Sequence, residues 1–144
     1  MSVTLRKYRI FLTILIIGAA LLAACGGAAA SPTPVNVQVT LTEFKIDSSL
    51  TNFKVGVPYH FTVVNNGTVA HQFVIMPPTT TTITPEQAQS QALAGISPDQ
   101  LQPGATATLD YTFTKPYAEG QLEFACHVAG HYEAGMHTSI VVTQ

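Results

Sequence analysis

The sequence predicts an all-β domain, a sandwich or barrel of short antiparallel strands carrying one short helical insertion. Three observations lead there. Apolar residues alternate with polar ones in several short runs, turn signals separate the runs, and no β-α-β rhythm links them.

The first residues of the chain are of a different kind. Arg6, Lys7 and Arg9 form a basic start, and Ile10 to Leu22 is almost wholly apolar. That run is shorter than the roughly 20 apolar residues a spanning helix needs, and it fits the core of a secretory signal. It ends in Leu22-Ala23-Ala24-Cys25, which resembles the lipobox of bacterial lipoproteins, in which the cysteine is lipidated and becomes the new N-terminus. Cleavage near Ala28-Ala29-Ala30 by an ordinary signal route, or an uncleaved anchor, is the alternative. The organisation expected is a signal peptide over 1–24, a lipidated tether over 25–36 starting at Cys25, and one domain over 37–144. Small residues and prolines in 26–35 suit a tether.

Without residues 1–24 only Lys45, Lys54 and Lys115 remain against eight acids, about five net negative charges. That balance argues against nucleic acid as a partner. About 120 residues support one core and not two.

The elements follow in order. Val37, Val39 and Leu41 alternate with Gln38, Thr40 and Thr42, as in a half-buried strand. Val57, Tyr59, Phe61 and Val63 alternate in the same way, and Asn65-Asn66-Gly67 ends that strand in a turn. His60, on the polar face with Thr62, is assigned no function. The next strand places His71, Phe73 and Ile75 on one face and Gln72 and Val74 on the other, until Pro77-Pro78 stops it. Thr84-Pro85-Glu86-Gln87 is a helix start, with Thr at the N-cap, Pro at N1 and Gln at N3 of a capping box. The helix is expected to reach Leu93 or Ala94, stop at Gly95 and cover one end or edge of the sandwich. Ser97-Pro98-Asp99-Gln100 repeats the start signal for one turn, and Pro103-Gly104 leads into the next strand. Leu109, Tyr111 and Phe113, then Leu122, Phe124 and Cys126, mark two further inward faces, and Thr138 to Val142 is a last strand.

One cysteine decides the chemistry. With Cys25 assigned to lipid, Cys126 stands alone in a compartment where thiols usually pair. A buried metal ligand is a reason for such a residue. Cys126, His131 and Met136 form a C-x4-H-x4-M loop between two strands. Two imidazoles, one thiolate and a weak axial thioether form a set that serves both oxidation states of copper. The fourth ligand has to come from elsewhere, and His71, on an inward face, is the candidate. His127 follows Cys126 and by strand alternation points away from the metal. Gln72, His127 and His137 are candidates for residues that support the ligands without binding the metal.

These residues carry a family resemblance over roughly 37–143. Thr42-Glu43-Phe44-Lys45, Val64-Asn65-Asn66-Gly67 leading to His71-Gln72-Phe73, Pro103-Gly104, and the run from Phe124-Ala125-Cys126 through Gly130-His131 to Gly135-Met136 look like the cupredoxin family, with the long ligand loop of rusticyanin-like and sulfocyanin-like members. The resemblance implies a Greek-key β-sandwich and one type 1 copper per chain, held by His71, Cys126, His131 and Met136. The residue after the first ligand is often Asn in that family, where it ties the two ligand loops together; here it is Gln72. The loop is also similar to the last copper motif of multicopper oxidases, but Ala125 replaces the first histidine of their His-Cys-His and the chain has no His-x-His pair.

The function expected is therefore electron transfer and not catalysis, with redox protein partners at the membrane, no small-molecule substrate and attachment by lipid. The location expected is the extracytoplasmic face of the cell membrane, periplasmic or cell-surface. Copper binding and delivery, or service as the copper subunit of a larger redox enzyme, are the rival readings; Met136 argues against the open coordination position an enzyme site needs.

Overall fold

Alternating burial builds the sandwich. The strand β1 (Val35–Thr42) buries Val37, Val39 and Leu41, and β4 (Pro58–Asn65) buries Tyr59, Phe61 and Val63. The structure, a computed structural model, describes residues 32–144; the expected signal peptide, Cys25 and the tether up to residue 31 lie outside the described residues. β1 begins at Val35, two residues ahead of the visible alternation.

Two sheets face each other. One has the order β2-β1-β4-β7, with β2 at Lys45–Ser48 and β7 at Thr106–Thr112. The other has β3 (Asn52–Lys54), β9 (His137–Thr143), β8 (Tyr117–Ala125), β5 (Phe73–Met76) and β6 (Ala94–Ile96), in the order β3-β9-β8-β5-β6. Phe53, Phe61, Phe73, Phe113 and Phe124 pack between them. Phe53 contacts the rings of Tyr59, Phe61, Phe113 and Phe124, with centroids 4.9 to 5.9 Å apart.

The all-β sandwich with one short helix stands as expected, but the sheets are mixed. β1 pairs with β4 in parallel, and β3 with β9 in parallel; the other pairs are antiparallel. The chain leaves the first sheet after β2, visits the second as β3 and returns as β4, so β4 runs with β1. Alternation records which face is buried and carries no information on a partner's direction.

The insertion departs from expectation at its end. α1 (Pro85–Gln91) opens with the predicted box: Gln87 N–H donates to Thr84 Oγ1, and Thr84 N–H donates to Gln87 Oε1. The helix stops at Ala92 and not at Gly95. Leu93 N–H donates to Ile75 O, and Ala94–Ile96 then pairs with β5 as an edge strand. Pairing with an open sheet edge replaces the last turn of helix. A 3-10 turn at Pro98–Gln100 follows. Ala88 of α1 packs on Val74, Met76 and Ala125, so the helix covers the outer face of β5 and β8 and all four residues of β5 are buried.

Candidate metal centre

Strand pairing brings the four predicted ligands to one end of the second sheet. Val74 of β5 pairs with Ala125 of β8, and Ala125 with His137 of β9. His71 just before β5, Cys126 just after β8 and Met136 just before β9 are therefore neighbours, although 65 positions separate the first from the last in sequence.

Each loop is fixed by its own backbone. Asn65, fully buried at the end of β4, donates from Nδ2 to Val69 O and Leu101 O and accepts at Oδ1 from Gly67 N–H, all at 2.8 Å. His71 N–H donates to Leu101 O at 3.1 Å. In the other loop, Cys126 N–H donates to Met136 O, Met136 N–H to His131 O and His131 N–H to Val128 O, at 3.1, 2.9 and 2.8 Å. The donor side chains thus sit on pinned backbone and not on free loops.

The donor atoms converge. His71 Nδ1 lies 3.2 Å from His131 Nδ1, and Cys126 Sγ lies 4.0 Å from the first and 3.5 Å from the second. Among the described residues these three form the one group of histidine, cysteine and carboxylate side chains that could share a metal ion. His71 and Cys126 are fully buried and His131 is 8% exposed. Met136 is fully buried in the same apolar cluster as Cys126, Phe73 and Phe124.

Burial sets the protonation states. It holds His71 below the ordinary histidine range, with the neighbouring His131 adding to the effect and Glu43 opposing it. Burial does the same to His131, again against Glu43. Both imidazoles therefore offer lone pairs at neutral pH. Burial pushes the Cys126 thiol up, while backbone N–H groups of Gln72 and Val128 pull the other way. Two neutral nitrogens and a soft sulfur, aimed at one another away from water, fit a copper ion. No carboxylate joins the set, which disfavours a hard cation.

The neighbours of the donors include residues whose own roles do not show in the sequence. Phe44, in the β1–β2 turn, is 51% exposed at a positive φ of 59°, and its ring edge meets His131 at 5.4 Å. Glu43 accepts from the N–H and Oγ1 of Thr68, which ties this turn to the His71 loop. Of the candidate supporting residues, Gln72 N–H donates to Cys126 Sγ at 3.2 Å. His127 is buried and stacks on Tyr132 at 4.4 Å, away from the donors. His137 stacks on the other side of Tyr132 at 4.7 Å, with its Nδ1 3.3 Å from buried Glu123. Tyr132 donates to Glu123 at 2.7 Å. His60 pairs with Asp110 across β4 and β7 at 2.6 Å, far in fold position from the ligand loops.

No family model matches the chain. Among curated proteins it is 30% identical over 122 residues to the copper-resistant cuproprotein CopI of Rubrivivax gelatinosus, covering 81% of this chain and 70% of that protein. Among solved structures it resembles dithionite-reduced auracyanin from Roseiflexus castenholzii, with a TM-score of 0.60 at 19% identity over 79% of this chain and all of that one. Rusticyanin from Thiobacillus ferrooxidans gives a TM-score of 0.56 at 18% identity over 78% of this chain and 79% of that one.

Proposed function

The chain belongs to the cupredoxin family, together with the CopI cuproproteins, and on that premise we propose that it is an electron carrier. Its cofactor is copper, one ion per chain, held by His71, Cys126 and His131 with Met136 as the weak fourth ligand. The observation that carries this reading is the convergence of two imidazole Nδ1 atoms and one thiol in a buried position. When bound there, copper supplies a one-electron couple between Cu(I) and Cu(II).

The chain's own residues do the rest. The pinned loops hold the donors in one arrangement, so the centre changes little between oxidation states. Phe73, Phe124 and Met136 keep water away. His131 is the donor with solvent access, and exposed Phe44 beside it forms an apolar rim on which a redox protein partner would dock. With Met136 as the fourth ligand the copper would have no open coordination position for a substrate, which suits a carrier.

Lipidation of Cys25 would hold the domain at the outer face of the cell membrane; among the described residues no helix is long and apolar enough to cross a bilayer. A Cys25→Ser chain that still fractionates with membranes would contradict this.

Voltammetry of the copper-loaded chain tests the carrier reading. The expected result is one reversible one-electron wave, with copper retained against a chelator in both oxidation states. A second reading, copper handling, is favoured by the copper-resistance name of the curated relative. It predicts instead that copper leaves to the chelator once reduced.

A further inference from the structure

The α1 part of the insertion after β5 reaches the metal donors through Gln72. Gln72 is fully buried and is held at both ends. Its N–H donates to Cys126 Sγ at 3.2 Å, and its Oε1 accepts from His127 N–H at 3.4 Å. Its Nε2 turns the other way, donating to Pro85 O in the first turn of α1 at 2.8 Å and standing 3.4 Å from Gln89 Oε1. The helix is seated on the same strands, through Ala88 against Val74 and Ala125. The edge strand packs close to Gln89: a Cβ on Gly95 would stand 3.1 Å from Gln89 Nε2 and 2.8 Å from Val74 Cγ1. A groove between α1 and the 3-10 turn is lined by Gln72, Pro85, Gln89, Ser90 and Pro98.

We propose that the α1–β6 insertion is a positioning element for Cys126, acting through Gln72, with Gln89 as the helix residue that holds the far end of its amide. The redox part of this claim rests on the copper reading above. An N–H aimed at a sulfur puts the positive end of its dipole there. That favours the oxidation state of the centre carrying more negative charge, which is the reduced one. A side chain gripped by the helix keeps that N–H in place. Released at the helix end, Gln72 is free to shift, and the N–H loses its aim.

Asparagine shortens the side chain by one methylene and so withdraws its amide from Pro85 O, which glutamine reaches at 2.8 Å. The test compares Gln72→Asn, Gln89→Ala and Gln89→Glu with the unmodified side chains, all in a Cys25→Ser background so that Cys126 is the one thiol. Two readouts are taken. They are the midpoint potential with the thiolate-to-copper band of the loaded protein, and the alkylation rate of Cys126 in the metal-free protein. An N–H aimed at sulfur stabilises the thiolate, so Gln72→Asn and Gln89→Ala are expected to lower the potential and to slow alkylation about fivefold, the factor one ordinary hydrogen bond is worth. Gln89→Glu, which keeps the acceptor oxygen, is expected to restore both. Gln89 is exposed, so its replacement leaves the core intact. Unchanged potentials and alkylation rates in both Gln72→Asn and Gln89→Ala would overturn the proposal. A parent protein with no thiolate-to-copper band would instead sink the copper reading, and the alkylation rates would then decide the positioning claim by themselves.

Discussion

A Cβ on Gly67 would stand 2.7 Å from His71 Nε2 and 2.9 Å from Glu43 Oε1, so glycine is needed where the Glu43 turn and the His71 loop meet. Glu43 holds that junction as an ion. The backbone N–H of Thr68, with the hydroxyl of the same residue, lowers its pKa from 4.5 to about 2. A depressed carboxylate stabilises the fold above its unfolded value and loses that contribution as pH falls through the folded one. The metal-free protein is therefore expected to be more stable than Glu43→Gln above pH 4.5, with the gap closing between pH 4.5 and about 2. Urea midpoints across that range check it, and a gap independent of pH would contradict it. The ligand residues were legible in the sequence because their types and spacing are themselves the chemistry. The bracing roles of Glu43, Asn65 and Tyr132 were not, since their partners Thr68, Leu101 and Glu123 meet them only after the loops have folded.

At the scale of elements, one of the two shortest strands carries a disproportionate part of the core. β3 has three residues, yet its Phe53 touches four other aromatic rings. Phe53→Ala is expected to cost about 3–5 kcal/mol, much of the roughly 5–15 kcal/mol by which a domain is stable. A lower urea midpoint with an unchanged slope is the expected observation; a midpoint near that of the parent would show that the site refills. Elements with a local cause were readable. The box of Thr84 and Gln87 starts α1, and the long alternations of β1 and β4 declare their buried faces. β2, β3 and β6 were not readable, because three or four residues are too few for a period to show. The helix end was misplaced for a related reason, since its last turn yielded to pairing between Leu93 and Ile75.

At the scale of the whole molecule, the ligand loops need both sheets. Asn65 ends a strand of one sheet and, through Leu101, fixes the loop that delivers His71 to the other. The parallel pairings follow from the chain's crossing between sheets, which no local pattern records. The sandwich and its metal end were thus legible as a set of buried faces and donor types, while the route connecting them was not. The most direct test of a redox copper centre is visible absorption and EPR of the chain titrated with Cu(II), beside Cys126→Ala. The expected result is an intense thiolate-to-copper band that saturates at one copper per chain, bleaches with ascorbate and is absent from the variant. A colourless protein, or the weak absorption of ordinary Cu(II) that persists in Cys126→Ala, would contradict it.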